Sequence, residues 1–165
     1  MAAVASSGTA KLTFPSDTQI LVEREFAAPR HLVYRAVTEP ELVRRWWNAK
    51  RGEVTVCEID LRVGGHWRYA MVTSDGSEVA FHGTIRELVP DERVVQTEVF
   101  EMPGLTDDDA TVNTMDLVEH EGSTTMRVLI QCTGPEQLRA IVESGMEAGL
   151  QDAYDLLEEV AVSLG

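Results

Sequence analysis

The sequence is short of cysteine, of basic residues and of long apolar runs, and each shortage removes a class of protein. Its two cysteines, Cys57 and Cys132, stand alone, without a C-x-x-C spacing or a neighbouring Cys/His partner motif. They read as small core residues of a reduced compartment, not as a disulfide framework or a zinc site. Lys and Arg number 14 against 28 Asp and Glu, a net charge of −14. Such a chain repels nucleic-acid phosphates and anionic headgroups, so no nucleic acid or membrane surface is expected as a partner. The one basic cluster, Arg44-Arg45 with Lys50-Arg51, flanks two tryptophans and reads as a solvated helix edge. The start of the chain lacks the basic region and apolar run of a secretory signal. No stretch reaches the roughly 20 apolar residues of a membrane helix. A cytoplasmic location is the default.

Catalytic and metal motifs are missing as well. His31, His66, His82 and His120 fall on four separate elements without H-x-x-x-H or H-E-x-x-H spacing. Asp107-Asp108-Asp109 lacks the glycine and spaced carboxylates of a calcium loop. No G-x-S-x-G, P-loop or G-x-G-x-x-G occurs. Neither metal nor cofactor is expected.

What is present is a domain of ordinary size. The 165 residues can bury roughly two-thirds of the extended chain's surface without a covalent staple. Residues 1–16 are small and polar, broken by Ser6-Ser7-Gly8 and Pro15, and read as a disordered tail before a single domain over 17–165. Ile20, Val22 and Phe26 share one face of a strand over Thr18–Phe26, with Glu23 and Glu25 opposite. Pro29 suits the first turn of a helix through Leu32, Val33, Ala36 and Val37, and Pro40 opens a second short helix reaching Trp46-Trp47.

Six strands follow, over Val54–Arg62, His66–Ser74, Ser77–Val89, Arg93–Glu101, Thr111–Glu119 and Ser123–Thr133. They are separated by Gly64-Gly65, Asp75-Gly76, Pro90-Asp91-Glu92, an acidic loop after Pro103-Gly104, and Glu121-Gly122. Gly134-Pro135 stops the sheet. From about Glu136 to Leu164, Leu138, Ile141, Val142, Met146, Ala153, Leu156, Leu157, Val160 and Leu164 form one helical stripe. One helix of that length is roughly 40 Å long. Gly145 and Gly149 lie within it at about 1 kcal/mol each, and serve close approach to the sheet or leave space beneath the helix.

These residues resemble a known family. Phe26-x-Ala28-Pro29, Leu32-Val33-Tyr34-x-Ala36-x-Thr38-x-Pro40-Glu41 and Arg45-Trp46-Trp47 look like the opening of a START-like protein of the SRPBCC superfamily. Asp60-Leu61-Arg62-x-Gly64-Gly65-x-Trp67, His82-Gly83, Pro90-x-Glu92-Arg93 and the helix Glu143 to Leu150 continue the likeness. The branch is that of homologues of the activator of the heat-shock-protein-90 ATPase, and the resemblance covers about Thr18 to Leu164. It implies an α+β helix-grip fold like that of the birch-pollen allergen. In that fold a curved antiparallel sheet of about seven strands, with two short helices after strand 1, grips a long C-terminal helix. It also implies a cavity between sheet and helix that takes lipids, sterols, polyketides or other apolar molecules. Two alternatives come with the family: a co-chaperone-like activator partnered with a heat-shock chaperone, and a polyketide cyclase or dehydratase.

The Asp75-Gly76 pair suggests a two-residue hairpin in which Tyr69 faces His82, Trp67 faces Thr84 and Met71 faces Ala80. Trp67, Tyr69, Met71, His82 and Thr84 then share one surface, suited to an apolar ligand with a few orienting groups. Met146, from the helix above, and Trp46, with Trp47 near the cavity mouth, complete the expected ligand-binding set. Asp60 and Arg62 are the charged candidates on the preceding strand, and pairing with each other is their simplest role. Edge strands of such a sheet could pair into a homodimer across a two-fold axis.

Overall fold

The computed structural model describes residues 10–48 and 50–165 of the chain. Eight strands form one antiparallel sheet, in the order β1-β2-β8-β7-β6-β5-β4-β3. The strands are β1 (Lys11–Ser16), β2 (Gln19–Phe26), β3 (Gly52–Ile59), β4 (His66–Thr73), β5 (Glu78–Val89), β6 (Arg93–Phe100), β7 (Thr111–His120) and β8 (Ser123–Gln131). Two short helices, α1 (Arg30–Thr38) and α2 (Pro40–Val43), lie between β2 and β3, and α3 (Pro135–Glu143) and α4 (Met146–Ser163) close the chain. The sequence places the two short helices and all six strands from β3 to β8 correctly.

Alternation in β2 sets the inner face. Ile20, Val22, Arg24 and Phe26 are all buried, and they stand opposite Ile130, Val128, Met126 and Thr124 of β8. The register carries that face across β7 through Asn113, Met115 and Leu117, and across β6 through Val94 and Gln96. Leu32, Val33 and Ala36 of α1 and Leu157, Val160 and Ala161 of α4 join the core from the other side.

Arg24 is the one charged side chain in this core. It is 1 % exposed, donates to the Tyr154 carbonyl and to Glu158 at 3.1 Å, and lies 3.4 Å from Asp155. Its guanidinium also sits over the Phe26 ring, 4.7 Å from the centroid. Glu158 in turn accepts the Ala27 backbone N–H at 2.9 Å. These contacts fix the C-terminal half of α4 to β2.

Three features differ from the sequence reading. The tail expected over 1–16 includes a strand from Lys11, paired Lys11↔Glu23, Leu12↔Val22 and Thr13↔Leu21; residues 1–9 lie outside the described residues. The free edge of β2 offers backbone partners that local composition does not reveal, and Pro15 is tolerated because β1 is the outermost strand. Ala10 is tied down too, donating to Gln151 Oε1 at 2.9 Å and accepting from Gln151 Nε2 at 2.8 Å.

The expected single C-terminal helix is two helices. Gly145 takes a left-handed φ of 86°, and α3 ends at Ser144, whose N–H still reaches Ala140 and Ile141. A glycine at such a position is the common helix stop, so its role here is to break the helix.

The β4–β5 hairpin has a three-residue loop, Ser74-Asp75-Gly76, closed by Thr73 N–H to Ser77 O at 2.9 Å. Gly76 has φ 86°, the left-handed position of a three-residue loop. Asp75 accepts from the Thr73 hydroxyl and from the Ser77 N–H; the Thr73 bond first, then those from Ser77, holds its carboxyl down to about 2. The extra loop residue shifts the register by one, giving Trp67↔Gly83, Arg68↔His82 and Tyr69↔Phe81.

Candidate functional site

Because strand side chains alternate, a one-residue shift moves a whole set to the other face. His82 and Thr84 therefore do not share a surface with Trp67, Tyr69 and Met71. His82 lies on the outer face beside Arg68, where Arg68 donates two bonds to Glu101, each 2.9 Å. The His82 ring sits between two carboxylates, with Nδ1 2.9 Å from Glu101 and Nε2 3.2 Å from Asp107. Desolvation lowers the imidazole's pKa, but the bonds to Glu101 and Asp107 and their charges outweigh it, and the net shift is upward. Glu101 is held down at about 2, chiefly by the Arg68 bond. A shallow groove of about 310 Å³ runs beside this cluster, lined by Glu58, His66, Trp67, Arg68, His82 and Gly83. Arg68 and His82, its central polar groups, already have partners.

The inner face holds the aromatic group. Trp67 lies 4.8 Å from Tyr69 between ring centroids, and Trp47 lies 5.4 Å from Tyr69 and 5.9 Å from Phe81. Trp67 donates its indole N–H to the Thr97 carbonyl at 3.0 Å, passing over Gly83, where a Cβ would sit 2.6 Å from the indole nitrogen and overlap that carbonyl oxygen. Trp46 is buried and donates to the Ala36 carbonyl at 2.8 Å, so it ties α1 to the end of the second helical segment. Met71 is buried further along β4. Met146 is the first residue of α4 and packs, half-buried, against the core. Asp60 and Arg62 pair with each other at 2.8 Å, as the sequence suggests.

Between the inner face and α1–α2 lies a cavity of about 130 Å³. Val37, Trp46, Ile59, Ile85, Val94, Met115 and Val128 give it apolar walls, and Tyr69, Gln96 and Asn113 bring polar groups to it. Two of the six expected ligand-binding residues, Trp46 and Tyr69, line it directly. Glu98, next to Gln96 on the same face of β6, was not foreseen. Its Oε1 accepts from Asn113 Nδ2 at 2.6 Å, and the Thr111 hydroxyl fixes the other end of that amide at 2.9 Å. Burial raises the Glu98 carboxyl above its ordinary range, with the Asn113 bond pulling the other way. Burial likewise pushes the Tyr69 hydroxyl far up, with Cys57 and Glu98 adding to it. The Cys57 thiol, opposite Tyr69 on β3, is pushed up to about 11, mainly by burial.

Gln96, Glu98 and Asn113 escaped the sequence reading because both faces of β6 look alike. Val95 and Val99 on the outer face are as apolar as Val94 and Phe100 on the inner one. The signal that could have found them is the β7 pattern, where Thr111, Asn113 and Met115 share a face with buried Leu117. Among the described residues no three His, Cys, Asp or Glu side chains are grouped to hold a metal ion, and no helix is long and apolar enough to cross a membrane.

A curved antiparallel sheet closed by a C-terminal helix, with two short helices after β2, defines a helix-grip protein of the α+β class. The profile of the family described as activator of Hsp90 ATPase homolog 1-like protein matches residues 27–161. The chain belongs to that family. Solved structures agree on the fold. A Rhodobacter sphaeroides protein is 24% identical with a TM-score of 0.84, over 94% of this chain and 99% of that one. A Mycobacterium smegmatis protein is 23% identical with a TM-score of 0.81, over 91% and 94%. An Arthrobacter aurescens protein is 22% identical with a TM-score of 0.82, over 93% and 91%. No curated protein matches the chain.

Proposed function

We propose that the domain binds a small apolar molecule in the cavity between β4–β8 and the two short helices. The observation that carries this reading is an apolar-walled space of about 130 Å³ with a few polar groups on one side. Pockets of that make-up are the usual small-molecule sites. The volume sets the size of the guest: an apolar cavity of about 150 Å³ accepts benzene. A single-ring or short branched molecule fits, whereas a fatty acid or sterol exceeds the space.

The family's name suggests a co-chaperone role instead. That reading has less support here, because the four most exposed large apolar side chains among the described residues, Val63, Val118, Phe14 and Met102, lie on four different segments. A cyclase-type enzyme would pair a desolvated carboxylate with a histidine, and Glu98 and His82 lie on opposite faces of the sheet.

The test is calorimetric titration and thermal shift with toluene and related single-ring compounds. Saturable binding and a matching melting rise are expected. Val128→Phe, which fills the cavity, should remove both without unfolding the protein. Indifference of the wild type to every compound of this size would overturn the reading.

A further inference from the structure

The polar side of the cavity is more specific than an apolar pocket requires. Tyr69 and Gln96 line it, and Glu98 lies beside Gln96 on the same face of β6, bonded to the lining residue Asn113; among the described residues, Tyr69 Oη, the Gln96 amide and Glu98 Oε2 make no hydrogen bond. The only fully enclosed side-chain nitrogen or oxygen atom left without a partner is Arg24 Nε. Tyr69, Gln96 and Glu98 are each only partly covered, so their free polar atoms keep accessible surface on the inner face. Glu98 Oε1 is committed to Asn113, and Asn113 is fixed by Thr111. The carboxyl therefore cannot turn away, and Oε2 is the acceptor left over.

A part-buried carboxylate with one amide donor and no cation paired to it is under-solvated. A guest that donates a hydrogen bond relieves that, and one that brings a second negative charge worsens it. Tyr69 supplies a donor from the same face of the sheet, on β4 two strands away, so an incoming hydroxyl can donate to Glu98 and accept from Tyr69.

We propose that Glu98, held by Asn113 and Thr111, is the recognition group for the hydrogen-bond-donating end of the guest, and that the site selects hydroxyl- or ammonium-bearing apolar molecules against carboxylates. This rests on the cavity-binding reading and assigns the chemical class of its ligand. Tyr69 and Trp46, which line the cavity, are the aromatic rings against which a ring, or an ammonium group, is favourably placed.

Four probes of one ring size separate the possibilities: toluene, benzyl alcohol, benzylammonium and benzoate, titrated calorimetrically near pH 7.5. Benzyl alcohol or benzylammonium should bind at least threefold more tightly than toluene, and benzoate at least tenfold more weakly than either. Whichever of the two donors binds better identifies the source. Glu98→Gln should abolish the preference for benzylammonium over toluene, and Tyr69→Phe should reduce the preference for benzyl alcohol. Because the two variants alter different strands, failure of one to fold leaves the other as a check. Benzoate binding as well as benzyl alcohol, or an order of affinities unchanged by both variants, overturns the assignment while the cavity reading stands. No binding of any probe, toluene included, overturns both.

Discussion

Two residues decide how the interior is arranged, and neither is conspicuous in the sequence. Gly83 is the gap through which the Trp67 indole reaches the Thr97 carbonyl. A methyl group there collides with backbone, which cannot retreat as a flexible side chain can. Gly83→Ala should therefore destabilise the protein by about 3 kcal/mol in urea denaturation. A change below ~0.5 kcal/mol, the level of an ordinary surface substitution, would contradict the described packing. Glu98 is the second. Its raised pKa means that the fold prefers its protonated form. The stability it contributes is fully present below its unfolded value near 4.5 and is lost as pH rises through the higher folded value. Glu98→Gln should therefore melt a few degrees above the wild type at pH 7.5, with the gap closing toward pH 4. A gap independent of pH would mean that the carboxyl titrates alike in the folded and unfolded chains, contradicting its burial. The sequence gives no warning of Glu98 because a strand with two apolar faces does not say which one is covered. His82 was misplaced for a related reason: Asp75-Gly76 is equally compatible with loops of two and of three residues, and one residue inverts the face.

At the level of elements, the order of strands and helices was legible because turn residues and periodicity mark the boundaries. The breaks that depend on tertiary partners were not. β1 is a strand because β2 has a free edge, and Gly145 is a helix stop where an uninterrupted apolar stripe suggests continuity. The grip itself depends on Arg24. Its charge is compensated by carboxylates on α4 that are part-exposed, Glu158 at 26% and Asp155 at 48%. Glu158→Ala leaves a buried guanidinium with the Tyr154 carbonyl and the more distant, half-exposed Asp155, and frees the Ala27 N–H. The expected loss is about 3 kcal/mol, the lower end for a broken buried pair because Asp155 remains. Glu158→Gln, which keeps one acceptor oxygen in place, should lose less. Equal losses would show that the carboxylate's charge, not its shape, holds α4. The outer-face cluster behaves differently. The His82 side chain is 38% exposed, so its contribution is screened and small, present below the ordinary imidazole value of 6.5 and lost as pH rises through the raised folded one.

For the molecule as a whole, patterning was enough for the order of elements, and the resemblance of motifs such as Asp60-Leu61-Arg62-x-Gly64-Gly65-x-Trp67 for the helix-grip architecture and the family, while the site depends on volume, which no sequence pattern encodes. The expected lipid-sized pocket is a cavity of about 130 Å³, small enough to select by shape. The net charge of −14 acts in the same sense as Glu98, attracting cationic guests and repelling anionic ones at low salt. The central claim is that the guest sits on the inner face against β5–β8. Methyl-detected NMR during a toluene titration tests it most directly. Saturable shifts are predicted for Ile85, Val94, Met115 and Val128, which line the cavity, with Val63 and Val118 on the exposed surface unmoved. Saturating shifts confined to surface methyls, or none at all, would contradict the account.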